Sequence, residues 1–190
     1  MNGMMKELKN AILLFGIMAL ILGIIYPLAI TGIAQVVFPT QANGEIVTVN
    51  GKIVGSQLIG QDFTSPGYFH GRPSSIDYNA STSGGSNYGP TNKKLIDRVN
   101  ESIIQIRTEN GLSDNVTIPA DLVLVSGSGL DRYISVESAE LQVPRIAKAR
   151  NLNESVIRDI INKNKEVPFP GIGQPIVNVL KLNIALNGIH

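Results

Sequence analysis

From Asn10 to Gly44 the chain carries no Lys, Arg, Asp, Glu or His. Within that stretch residues 11–30 read AILLFGIMALILGIIYPLAI. Twenty residues at about 1.5 Å rise cover about 30 Å, the thickness of a bilayer's hydrocarbon core. Twelve of the twenty are Leu, Ile or Phe. Each favours insertion by roughly 0.3–0.6 kcal/mol near the bilayer centre, and a sum on the order of 5 kcal/mol outweighs Gly16, Gly23, Tyr26 and Pro27. A transmembrane helix over residues 11–37 is therefore expected, since apolar residues continue to Val37. Pro27 is expected to kink its outer third rather than end it. The alternative is a cleaved signal peptide with Lys6 and Lys9 as its basic region and Ala34 near the cut. The apolar cores of such peptides run about 7–15 residues, and this one is longer.

Lys6 and Lys9 precede the span, and the first basic residue after it is Lys52. Basic residues stay on the cytoplasmic side, so residues 1–10 are expected in the cytoplasm and residues 38–190 outside it. Gly16 and Gly23 are seven apart, about two helical turns, and share a face on which a neighbouring helix can approach closely. That face is the expected contact with a partner.

The remaining composition excludes more than it suggests. With Lys+Arg 16 against Asp+Glu 15 the net charge is +1, which gives no basic face for nucleic acid. Cysteine is absent, so disulfides, thiolate zinc sites and cysteine nucleophiles are ruled out. His70 and His190 are the two histidines, too few for a histidine-based metal cluster.

Beyond the span the pattern predicts one α+β domain. Asn50-Gly51 between Val47, Val49, Ile53 and Val54 signals a tight hairpin. Residues 60–90 have no sustained period and are rich in Gly, Ser, Asn, Tyr and Pro. Irregular segments this long usually bind something or flex. Leu95, Val99, Ile103 and Ile106 predict a helix that stops at Gly111. Residues 121–125, DLVLV, predict a buried strand leading into the turn Ser126-Gly127-Ser128-Gly129. A second helix is expected over residues 135–150, capped by Ser135 and containing an awkward Pro144. A third is expected over residues 153–163. Residues 175–186 fit a strand by the alternation Leu180, Leu182, Ile184, Leu186, and fit a helix by Val179, Leu182, Leu186.

No established catalytic constellation emerges. A phosphate-binding G-x-x-x-x-G-K-[ST] is missing, and Ser128 lies in S-G-S-G rather than G-x-S-x-G. Ser128 with Lys148, and Asp131 with Glu137, are the remaining reactive pairings to consider. Two other features can meet a ligand or a partner. Ser83-Gly84-Gly85-Ser86-Asn87 is a run of small residues whose backbone N–H groups can converge on an anion. Gln142 and Arg145, three apart, share one helix face.

YPLAITGIAQ, NGKIVGSQLIGQDF, YFHGRPSS, SGGSNYGPTN, PADLV, SGSGLD, QVPRIAKAR and VNVLKLNIAL occur in that order along the chain. Together they resemble the C subunit of the Kdp potassium-transporting P-type ATPase, the KdpC family, over nearly the whole length. Two departures stand out, Arg132-Tyr133 where that family usually has Pro-His and Pro144 where it usually has Ala. The resemblance implies an accessory subunit, with K+ carried by a channel-like subunit and ATP hydrolysed by a separate P-type subunit. It implies a catalytic-chaperone role that raises ATP affinity, with Ser83, Gly84, Gly85, Ser86 and Gln142 touching nucleotide. The expected topology conflicts with direct contact, because a domain outside the cell does not meet cytosolic ATP. On that topology residues 60–90 pack on the channel-like subunit and any effect on ATP is indirect. A membrane-tethered extracytoplasmic hydrolase or adhesion module without a pump partner is the alternative from a different class.

Overall fold

The computed structural model describes residues 2–169 and 172–189. The chain divides into two compact units, Met1–Ile46 and Val47–His190.

The first unit contains a helical run, Gly3–Val37, whose apolar 18-residue stretch has mean hydropathy 2.6 and is not buried within the chain. Helix α1 (Asn2–Leu20) passes through a π-helical turn (Ile21–Ile25) into α2 (Tyr26–Val37). The widened turn sits immediately N-terminal to Pro27, and the helix continues past it. In a regular α-helix the pyrrolidine ring would meet the carbonyl four residues back, and it has no N–H to donate. In the π turn the Tyr26 N–H donates to Ile21 O, five residues back. Helix α2 ends before Phe38, which has φ −133°. The residue preceding a proline is driven out of the α region, and Pro39 follows. One short turn, α3 (Pro39–Ala42), completes the unit.

The second unit is α+β. Strands β1 (Ile46–Val49) and β2 (Lys52–Ser56) form a two-stranded sheet. Asn50 (φ 51°) and Gly51 (φ 74°) both take the left-handed conformation that a two-residue hairpin turn requires. No strand or helix then occurs until α4 (Lys93–Asn110), which starts on the Asn92 side chain and stops at the left-handed Gly111.

The DLVLV segment is a helical turn, α5 (Ala120–Val123), rather than the strand expected from its composition. Leu122 and Val123 are both buried although adjacent in sequence. In a strand neighbours face opposite sides, so a short apolar run fits a helical turn equally well. Pro119 opens the turn, and Asp121 in its first residues accepts from the Ser135 N–H at 2.6 Å and the Ser138 hydroxyl at 2.5 Å.

A three-stranded antiparallel sheet has the order β3-β5-β4, from β3 (Tyr133–Ser135), β4 (Lys165–Glu166) and β5 (Ile176–Asn178). Ile134 lies opposite Val177 in its centre, and both are buried. Helices α6 (Val136–Arg150), α7 (Glu154–Lys163) and α8 (Val179–Asn187) supply the rest of the core. Phe69, Ile134, Val143, Ile146, Ile157, Ile161, Val177, Leu182 and Leu186 form one cluster. Ser135 caps α6 as expected, accepting from the Ser138 N–H. Pro144 inside α6 is exposed, so the ladder bond it cannot make is missing on the solvent side. The ambiguous C-terminal run is strand and helix in succession. Asn178 caps α8, whose buried Val179, Leu182, Asn183 and Leu186 follow 3, 1 and 3 spacing.

The irregular segment has no strand neighbour, and carboxamides serve in its place. Asn183 Oδ1 accepts from the Phe69 N–H at 2.8 Å, and Asn183 Nδ2 donates to Phe69 O at 3.0 Å. Asn183→Leu should leave both backbone groups buried and unpartnered, costing about 3 kcal/mol. Thermal unfolding of the full chain in detergent should show the midpoint lowered by roughly 5–10 °C. An unchanged midpoint would show that these bonds do not hold the segment.

Candidate functional site

Residues 83–87 pack against residues 126–129, so the two Gly-Ser runs form one unit. The Gly84 N–H and the Ser83 hydroxyl both donate to Ser128 O, at 2.9 and 3.1 Å. From the other side the Ser75 hydroxyl donates to Gly84 O at 2.8 Å, and the Ser74 hydroxyl to Gly129 O at 2.8 Å. A Cβ on Gly85 would sit 2.9 Å from Gly127 O. Gly129 has φ +69°, and a Cβ there would reach Ile76 and Gly84 O at 2.5 and 2.9 Å. At these two positions glycine is required by contact, with a positive φ added at Gly129. A Cβ on Gly84 meets nothing within 4 Å, and its φ lies outside the left-handed range. The Arg98 guanidinium donates to Ser86 Oγ at 3.2 Å and lies over the Tyr88 ring at 5.7 Å. Asn87 is exposed and left-handed, φ 52°.

Ser74, Ser75, Gly127, Ser128 and Gly129 complete this unit, and sequence reading did not group them with residues 83–87. Two Gly-Ser runs on either side of α4 and α5 are the available signal, since each alone reads as a surface turn. Arg72 ties the same region together, with Nη1 3.0 Å from Asp131 Oδ2 and Nη2 donating to Val125 O at 3.4 Å. Asp131 also accepts from the Tyr133 N–H at 3.0 Å, whereas Glu137 is exposed in the first turn of α6. Ser128 Oγ accepts from the Leu130 N–H at 3.1 Å, and Lys148 is exposed on α6. Asp131 is thus half of an ion pair, and Ser128 is a turn-forming hydroxyl.

Gln142 and Arg145 lie elsewhere, in the core. Gln142 is 1% exposed and Arg145 9%. Gln142 Oε1 accepts from the His70 N–H at 2.8 Å and from Arg145 Nη2 at 2.7 Å. Gln142 Nε2 donates to His70 O at 3.2 Å. Arg145 donates to Pro66 O and Tyr68 O, at 2.6 and 3.0 Å, and to Asn110 Oδ1 at 2.9 Å. Both side chains fasten residues 66–70 to α6. Gln142 borders a cleft of about 290 Å³ that is also lined by Asp62, His70, Arg72, Tyr78 and Glu109. None of residues 83–87 lines it, so the cleft does not unite Gln142 with the glycine-serine run.

In this cleft His70 Nδ1 lies 3.4 Å from Glu109 Oε2, which invites a salt bridge. Burial is the larger influence, and together with the Arg145 charge it lowers the His70 pKa below its ordinary 6.5 despite Glu109. The imidazole is therefore neutral at pH 7. Its Nε2 lies 3.1 Å from Ser65 O and 3.5 Å from Arg145 Nη1. Burial, with Asp62 and Asp131 next in effect, pushes the Tyr78 hydroxyl up to about 12, and that hydroxyl donates to Arg72 O. In the anchor, a Cβ on Gly16 or Gly23 meets nothing within 4 Å, so this face is uncovered in the chain itself. His190 lies outside the described residues.

Gly85→Ala should destabilise the domain by about 1–3 kcal/mol, because a backbone carbonyl must move. Gly84→Ala should stay within about 0.5 kcal/mol of the parent. Urea unfolding of the two variants separates them, and equal losses would contradict the packing described. For His70 the unfolded chain binds the proton more readily than the folded one. Its contribution to stability is thus complete above pH 6.5 and is lost as pH falls below that value. His70→Gln should flatten the fall in unfolding free energy below pH 6.5, and an unchanged slope would contradict the burial argument.

The family model for KdpC, described as K+-transporting ATPase, c chain, matches residues 8–188. Among similar proteins, one from Bradyrhizobium diazoefficiens is 46% identical over 199 aligned positions, covering 97% of this chain and 98% of the relative. One from Rhodopseudomonas palustris is 48% identical over the same shares. One from Caldanaerobacter subterraneus is 47% identical, covering 95% of this chain and 94% of the relative. All three carry the name potassium-transporting ATPase KdpC subunit. A match of this extent, spanning both the apolar helix and the α+β unit, shows that the chain belongs to the KdpC family, the c chain of K+-transporting ATPases.

Proposed function

We propose that this chain is the single-pass accessory subunit of an ATP-driven potassium uptake pump, working beside a channel-like K+-translocating subunit and a P-type ATP-hydrolysing subunit. Its relatives' shared name, over nearly their full lengths, is the observation that carries this reading. The N-terminus is cytoplasmic and the α+β unit is extracytoplasmic. Support for that orientation comes from Lys6 and Lys9 before an uncharged stretch that runs to Gly44.

On this topology the subunit raises the pump's ATP affinity without touching ATP. It binds one conformation of its partners better than another and so shifts their equilibrium. Couplings of this kind change affinity by about 5- to 150-fold. The interlocked unit of residues 83–87 and 126–129 is the partner contact, with Ser83 and Asn87 at its exposed edge. Gln142 and Arg145 act behind it by holding residues 66–70 to α6.

Gly84→Val is a suitable probe, because the added Cβ points into open space rather than into the fold. Calorimetry of the full chain in detergent with millimolar ATP should give no saturable isotherm. In the assembled pump the same substitution should disturb assembly or apparent K+ affinity before ATP affinity. A saturable isotherm abolished by Gly84→Val would overturn this reading and restore a nucleotide site at Ser83, Gly84, Gly85 and Ser86. Purification by a tag on the chain should recover two further subunits. Recovery of the chain alone would favour a tethered hydrolase or adhesion module.

A further inference from the structure

The π turn before Pro27 strips Leu22 O of its main-chain partner. In an α-helix Leu22 O accepts from the N–H of residue 26, and in a π-helix from that of residue 27. The Tyr26 N–H donates to Ile21 O. Residue 27 is proline and has no N–H. Neither register therefore supplies a main-chain donor to Leu22 O. The Thr31 hydroxyl is engaged with Pro27 O at 2.8 Å.

This carbonyl lies near the middle of the apolar stretch, at the twelfth of residues 11–30. No water is available at that depth, so a bare carbonyl facing lipid is strongly disfavoured. The other half of its peptide group belongs to Gly23, where an added Cβ would meet nothing within 4 Å. The residue beside the carbonyl thus carries no side chain, and neither does Gly16, two turns earlier on the same flank.

We infer that Leu22 O is a docking point inside the membrane for a neutral donor, a hydroxyl or carboxamide, on a membrane helix of a partner subunit. The inference rests on the proposed pump reading for the existence of that helix. The lone pairs of Leu22 O select a donor, and the missing side chain at Gly23 lets it come within hydrogen-bond distance. Pro27 maintains the site by keeping the ladder open. This also gives the proline a role that a simple bend does not.

The test uses the full chain, tagged and expressed with its partner subunits. Pro27→Ala supplies an N–H and lets the ladder close, whereas Gly23→Leu keeps the turn and blocks access. Either change should leave the chain inserted and weaken partner association by about 3- to 30-fold, the range for one hydrogen bond between membrane helices. A semisynthetic chain with a ¹³C=¹⁸O label at Leu22 adds a reading independent of assembly yield. Its infrared band should lie at high wavenumber in the isolated chain and move lower in the complex. Wild-type chain that recovers partners, with both variants recovering them equally well and the band unmoved, overturns this inference alone. Wild-type chain that recovers no partner overturns both this inference and the pump reading.

Discussion

Two carboxamides inside the core, Gln142 and Asn183, carry the long irregular segment of the α+β unit. Each binds both the N–H and the C=O of one backbone residue, His70 and Phe69 respectively. Consecutive backbone groups are thereby satisfied as an adjacent strand would satisfy them. Phe69, fully buried, is fixed in the cluster that α6, α7 and α8 close over. Arg145 and Arg150 extend the same fastening to Pro66, Tyr68 and Gly67. From residue 70 onward, Arg72 and Ser74 join the chain to residues 125–131, and Ser75 joins it to Gly84. The position of the glycine-serine run thus follows from bonds made in the core rather than from local propensity.

Much of this fold is legible in sequence because it is local. The Asn50-Gly51 turn, the Asn92 to Gly111 helix and the Ser135 cap are each specified by residues within a few positions of one another. The uncharged stretch is legible for the same reason, since its length and composition fit a span. Residues 121–125 mislead because apolar periodicity cannot resolve five residues, and the helical turn depends on Asp121 reaching Ser135 and Ser138. Residues 176–187 hold two elements in one short run, and only the Asn178 cap marks the change.

The candidate site is less legible. Gln142 and Arg145 read from spacing as a helix face open to solvent or ligand, yet they are buried and engaged with backbone groups about 75 residues away, 72 for His70 and 77 for Tyr68. Nothing local in sequence encodes a partner at that distance. The contact between residues 83–86 and 127–129 is also long-range, 45 residues for Ser83 and Ser128, although both runs are conspicuous. In the anchor, Pro27 is visible at once, but the widened turn shows only when the Tyr26 N–H is traced to its acceptor.

On the proposed reading, the α+β unit and the open carbonyl of the anchor hold partners and act on the pump from outside the nucleotide site. That account stands or falls on which side of the membrane the α+β unit occupies. The chain has no cysteine, so single cysteines at the exposed positions Asn100 and Ser113 report location without interference. On intact cells both should react with a membrane-impermeant maleimide. Reaction only after lysis would place the unit in the cytoplasm and contradict the indirect mechanism.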